Sequence, residues 1–323
     1  MTVKTSPQQQ STHGVSETKL GMILMAVAML MLPIGDTFAK YLTGILHPIE
    51  VTFARLIAQG LFFVPAALLL RHRLKGAMFS PVIALSGALV MVTLTSLIWA
   101  FSVMPIATAI AIFFVEPLIL TALVGPLLGE KVGPRRMVAV GIGLVGALIV
   151  IRPGGGFGVS ALLPLLAALA YALNMIVLRR ASQVRSALTV QCGATFYACL
   201  GMAGLFGVLS WSGSVSPSFG SLSPAGWAAI LGAGVFAAGS FILIAEAFRR
   251  AEAGTLAPFQ YLEIIGATAA GYLVFGDFPD LWTWVGIAII LASGLYVFWR
   301  ERVPANRPTI APGRRRSRRI RPR

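Results

Sequence analysis

The chain has 323 residues, of which 57% are hydrophobic and 11% charged, and its mean hydropathy is +0.84. Soluble domains carry about 25% charged residues, so this composition excludes a soluble globular protein. The formal charge of +15 does not point to nucleic acid, because the basic residues gather in short loops and in one tail.

Residues 1–19 are polar and expected to be disordered. Ten apolar spans follow, at 20–42, 50–70, 81–101, 106–127, 137–153, 159–180, 186–208, 225–247, 255–276 and 281–299. About 20 apolar residues cross a hydrocarbon core of roughly 30 Å as a helix. The first span is too long for a signal-peptide core and lacks a convincing cleavage site, so it reads as a retained span. Residues 300–323 form a basic tail ending RRRSRRIRPR without apolar periodicity. Such a tail is drawn to anionic lipid by about 1 kcal/mol per basic residue. It lacks stacking aromatics, so topology anchoring is a simpler role for it than binding RNA.

Alternate loops carry the basic residues: Lys4 and Lys19; Arg71, Arg73 and Lys75; Lys131, Arg135 and Arg136; Arg179, Arg180 and Arg185; Arg249 and Arg250; Arg300 and the tail. The other loops hold Arg152 alone. This asymmetry places both termini in the cytoplasm of a multi-pass protein of the cell (inner) membrane.

The chain also repeats itself. FFVEPLILTALVGPLLGE surrounds Glu116, and QYLEIIGATAAGYLVFGD surrounds Glu263, 147 positions later. The same offset pairs Phe101 with Phe248, Thr108 with Thr255, Gly129 with Gly276 and Glu130 with Asp277. Five spans per half reverse the direction of entry, so the fold class is all-α integral membrane, with two inverted five-helix repeats at 20–153 and 159–299. Inverted repeats that enclose a midplane site are a transporter plan. Pro117 follows Glu116 while Ile264 follows Glu263, so a proline-induced break is not expected at that point in the second half.

Four ionisable residues lie deep: Asp36, Arg55, Glu116 and Glu263. Leaving all four against lipid would cost about 10–14 kcal/mol at roughly 2.5–3.5 kcal/mol each. They are therefore expected to face the bundle interior. Phe113 and Gln260 precede the glutamates by three residues and share their helix faces, and Phe114 and Tyr261 are aromatic at matching positions. Such a cavity suits a flat polar organic molecule or a cation. Glu116 and Glu263 are candidates for substrate contact or proton coupling, with helix–helix locking as the structural alternative. The acid-first spacing of Asp36 and Lys40 favours a pair on one helix. Arg55, at similar depth to Asp36, offers a substrate-gating cluster or a staple between spans one and two, with Lys40 snorkelling to the interface. Glu246 is expected to pair with Arg250 one turn on, and Asp277 and Asp280 to cap their loop. Tyr171 and Asn174 are secondary pocket candidates, with interhelical hydrogen bonding as the default. Cys192 and Cys199 are separated by about 10 Å of helical rise, too far to bridge each other.

Residues 100–151 resemble the signature half of an EamA domain of the drug/metabolite transporter superfamily. The resemblance is carried by Glu116-Pro117, Gly129-Glu130 and the glycines 141, 143 and 146, and more loosely by Glu263, Gly276-Asp277, Gly286 and Gly294. It extends over about 20–299 and implies a ten-helix carrier of small organic solutes working by alternating access. GDTFAKYL with Asp36 and Lys40, followed by PIEVTFARL with Arg55, is similar to members related to S-adenosylmethionine and riboflavin uptake carriers. No enzyme activity, cofactor, metal or nucleic-acid partner is expected, and the oligomeric state is not readable from the sequence. An integral-membrane transferase would need an acidic metal cluster, for which Asp277 and Asp280 are weak material. A non-transporting sensor or assembly protein is the other alternative.

Overall fold

Every element among the described residues is helical, and the boundaries follow local chemistry. Ser80, Ser186 and Ser223 cap three helix starts by accepting from the backbone N–H groups of Ile83, Thr189 and Gly226. Pro81 and Pro224 then occupy first-turn positions, where a missing N–H costs nothing. The computed structural model describes residues 7–129, 133–152, 158–181 and 183–302. Its helices are α1 Pro7–Thr43, α2 Pro48–Leu69, α3 Pro81–Val103, α4 Ile106–Phe113, α5 Glu116–Leu128 and α6 Pro134–Ile151, then α7 Leu162–Ala181, α8 Ala187–Trp211, α9 Pro224–Arg250, α10 Ala253–Gln260, α11 Leu262–Phe275 and α12 Leu281–Arg302. Among the described residues there is no strand. Glu130, Lys131 and the basic tail, which enter the sequence argument, lie outside the described residues.

Among the described residues nine stretches are long and apolar enough to cross a membrane, one of them joining α4 and α5. The α10–α11 pair, each member too short alone, makes the tenth crossing. α1 is described from Pro7, so its opening turns run through residues 7–19.

The packing is that of an inverted repeat. α1 packs along α9, and its counterpart α7 along α3; α2 meets α9 as α8 meets α3; α1 meets α11 as α7 meets α5. α6 pairs with its own counterpart α12, and α2 with α8. Each half therefore closes against the other rather than on itself. Two pairs of glycines 147 residues apart record the symmetry. Gly129 and Gly276 end α5 and α11 in the left-handed conformation, with φ of 71° and 73°, where a Cβ would be strained. At Gly87 a Cβ would lie 2.5 Å from Tyr197 Cβ, and at Gly234 2.4 Å from Ala58 Cβ. Both sites thus need bare backbone where α3 crosses α8 and where α9 crosses α2.

Large apolar residues such as Leu61, Val64, Leu68, Val145 and Leu273 stand exposed on the outside of the bundle, the arrangement expected of a surface that meets lipid. Ion pairs between the halves mark its two faces. On one, the basic face, Arg73 pairs with Glu246 at 3.0 Å and Arg250 with Glu17 at 2.6 Å. On the opposite face Lys40 pairs with Asp277 at 2.6 Å, and Arg152 with Asp280. There Glu50 also accepts from the backbone N–H groups of His47 and Ser218, tying the α8–α9 connection to the start of α2.

Candidate functional site

Each half contains one broken helix, and the two breaks fall at equivalent positions, after Phe113 and after Gln260, 147 residues apart. In the first, the N–H groups of Val115 and Leu118 donate to carbonyls three residues back, on Ile112 and Val115. Pro117 has no N–H to give the carbonyl of Phe113. In the second, Ile264 stands where the proline does and does have an N–H, yet donates it to Tyr261 at 3.2 Å. A break is thus present in both halves, and only the first is induced by proline. Proline enforces it in one half; in the other Ile264 N–H turns to the carbonyl three residues back instead of to Gln260.

Glu116 is the first residue of α5 and Glu263 the second of α11. Each break thus sets a carboxyl side chain at a kink inside the bundle, where the N–H groups of Leu118 and Ile264 donate to the carbonyls of Val115 and Tyr261.

A run of rings joins the breaks. Tyr171 on α7 lies 5.6 Å from Phe113, Phe113 6.4 Å from Phe114, and Phe114 5.5 Å from Tyr261, measured between ring centroids. Tyr171 stands within Coulombic range of both Glu116 and Glu263, and Tyr261 within range of Glu116. Two carboxylates 147 residues apart in sequence therefore converge on one aromatic cluster. Phe113, Glu116, Tyr171, Gln260, Tyr261 and Glu263 are partly accessible, whereas Ile112, Val115, Ala167 and Ile264 beside them are sealed. Glu116 Oε1 has no hydrogen-bond partner. Such a cluster offers carboxyl groups and π faces, the two kinds of group that hold an organic cation.

The other predicted residues divide. Asp36 and Arg55 meet: Arg55 Nη1 donates to Asp36 Oδ1 at 2.8 Å, with both side chains buried. Glu263 lies within Coulombic range of both, which joins them to the central cluster. The expected Asp36–Lys40 pairing is not found. Lys40 instead reaches across to Asp277 and lies 4.8 Å over the Phe275 ring, because Asp36 turns inward to a stronger, fork-shaped partner. Asn174 is buried and accepts from Ser86 Oγ at 2.6 Å, an interhelical tie rather than a pocket group. Glu246 pairs with Arg250 as expected, at 2.8 Å, and also with Arg249 and Arg73. Asp280 accepts from the backbone N–H of Thr283, capping α12. Cys199 donates to the Leu56 carbonyl. Among the described residues no group of three His, Cys, Asp or Glu side chains could hold a metal ion.

Sequence reasoning missed Gln59 and Thr195. Gln59 Nε2 donates to Thr195 Oγ1 at 3.3 Å, tying α2 to α8, and Gln59 is almost fully buried. An amide one turn from Arg55 inside an apolar span was the available signal.

Comparison with known proteins fits this geometry. The profile of the EamA-like transporter family matches residues 19–152 and again 158–299. The chain is 26% identical over 285 residues to an S-adenosylmethionine uptake transporter of Rickettsia prowazekii, covering 87% of this chain and 93% of that protein. It is 30% identical over 206 residues to a riboflavin transporter of Rhizobium johnstonii, covering 62% and 66%. A solved structure titled "Crystal structure of protein" shares the fold with a TM-score of 0.59 at 17% identity, over 89% of this chain and 99% of that one.

Proposed function

We propose, because the chain belongs to the EamA-like transporter family, that this membrane transporter of small metabolites works as a secondary carrier by alternating access. It sits in the cell's inner membrane with its basic face, and both termini, in the cytoplasm. Its substrate is an S-adenosylmethionine-like or riboflavin-like compound, by similarity to relatives of those names. Transport is coupled to protons through Glu116 and Glu263, carboxyls shielded from bulk water.

The observation that supports this reading is the pair of helix breaks that bring both glutamates to one cluster of rings at the junction of inverted halves. Exchanging the conformations of two such halves moves access from one face to the other around a fixed site. The ion pairs are distributed accordingly: Lys40–Asp277 and Arg152–Asp280 join the halves on one face, Arg73–Glu246 and Arg250–Glu17 on the other. Opening one face requires releasing its own pairs only.

Uptake into proteoliposomes tests the proposal. S-adenosylmethionine and riboflavin are supplied outside, with and without an imposed pH gradient. Accumulation of one of them, accelerated by the gradient, is the expected result. Absence of flux for both compounds overturns the substrate classes, and flux indifferent to the gradient overturns the coupling.

A further inference from the structure

Arg55 is over-equipped for the partner it has. Its Nη1 donates to Asp36, while its Nε–H is buried with no acceptor. That N–H belongs to the edge which, together with Nη2, forms the planar fork that grips a carboxylate with two parallel hydrogen bonds. An ion pair that existed only to staple α1 to α2 would gain by turning this fork onto Asp36. One turn further along the same face of α2, Gln59 is in a similar position: its Nε2 donates to Thr195, but Oε1 has no donor. Reversing the amide lets the Thr195 hydroxyl donate to Oε1 and frees an N–H instead. In either orientation one end of the amide stays open. Arg55 and Gln59 are only 3% and 1% exposed, and an unsatisfied buried donor costs about 1–3 kcal/mol or more. Two such costs, a turn apart, call for a ligand.

We propose that Arg55 and Gln59, with Thr195 behind them, form a second substrate subsite that takes a carboxylate. The inference rests on the transporter reading and narrows its substrate. Asp36 supplies one negative charge to Arg55 through a single hydrogen bond, which leaves the fork free for a second acid. Glu263 stands within Coulombic range of this pair, so the carboxylate subsite adjoins the acidic aromatic one. The two poles are complementary to a single molecule with a cationic or ring-bearing end and a carboxylate end. S-adenosylmethionine has that chemistry; riboflavin has no carboxylate.

The test is a thermodynamic cycle on the purified full-length protein. Binding of S-adenosylmethionine, its decarboxylated analogue and riboflavin is measured by calorimetry, with thermal shift as a check. The wild type should bind S-adenosylmethionine at least about tenfold more tightly than the decarboxylated analogue, the size of effect a charge-assisted hydrogen bond produces. The double variant Asp36→Asn/Arg55→Gln keeps the buried pair neutral and hydrogen-bonded, which guards against misfolding. In it the two probes should bind equally. Arg55→Lys, which keeps the charge without the fork, should retain only part of the preference. If the wild type binds the probes without preference for the carboxylate, or the double variant keeps the preference, the subsite is refuted while the transporter reading stands. If only riboflavin binds, the subsite is again refuted. If none of the three binds, the proposed substrate classes and the subsite fall together.

Discussion

The two helix breaks share one position in the repeat and differ in what surrounds it. At the first, Glu116 stands at the head of α5 beside a proline, with rings on one side and sealed aliphatics on the other. One of its oxygens has no partner. At the second, Glu263 stands at the head of α11 without a proline, near Gln260 and within reach of Asp36 and Arg55. The break is thus a property of the repeat, and proline is only one way to impose it. The polarity around it is a property of each half. α1 delivers a charged residue, Asp36, to the centre, whereas α7 delivers Tyr171 and uses its buried polar residue, Asn174, to tie down α3. A duplicated scaffold has been given one apolar, aromatic pole and one charged pole.

That contrast makes its largest prediction at the glutamates. Glu263→Gln should lower substrate uptake more than Glu116→Gln, because Glu263 is electrostatically linked to Asp36 and Arg55 and its loss disturbs both poles. A charge-assisted hydrogen bond from Glu263 to substrate would contribute about 1.5–3 kcal/mol, which corresponds to a loss of roughly tenfold to a hundredfold for Glu263→Gln. Initial rates in proteoliposomes, compared at several values of external pH, provide the measurement. Equal losses in the two variants would mean that the poles are equivalent and that the asymmetry is without functional weight.

The symmetric part of the comparison is tested at the paired glycines. Gly87→Val and Gly234→Val each force a side chain into a helix crossing with no room for a Cβ. Overpacking costs about 1–3 kcal/mol, or more where the obstacle is backbone. At Gly234 the carbonyl carbon of Ala58 would be only 2.7 Å away, and at Gly87 the carbonyl oxygen of Ala194 equally close. Both variants should therefore lose thermal stability by similar amounts. A large loss at one site and none at the other would show that the halves do not share their packing.

The parts of this arrangement legible in the sequence are those that depend on spacing along the chain. Ten spans follow from hydropathy, and the repeat from a constant offset. The rings beside the glutamates follow from helical periodicity, as does the Glu246–Arg250 pair one turn apart. Contacts between helices, the Asp36–Arg55 staple excepted, were not legible, because periodicity says which residues share a face and not which face another helix presents. Asp36 and Lys40 satisfy the spacing for a pair on one helix. In the folded chain each finds a better partner elsewhere, on α2 and beside α11 respectively. The partner of Gln59 was hidden for the same reason: Thr195 lies 136 residues away. The second helix break was hidden because proline is the only residue whose sequence letter announces one.

The smallest effect belongs to the face opposite the basic one, where Asp280 closes the second half against Arg152 of the first. The Arg152 guanidinium, and after it the Thr283 backbone and hydroxyl, hold the Asp280 carboxyl well below the usual carboxylate range. A carboxyl whose folded-state pKa is depressed contributes stability above its unfolded value, about 3.9. That contribution is lost as the pH falls through the folded value. Wild type and Asp280→Asn should therefore differ in thermal stability at neutral pH and converge in strong acid. The pair is exposed, so the difference should be small and should shrink further in high salt, which screens exposed charges. A gap that persisted unchanged in acid would show that it does not come from the ion pair between the halves.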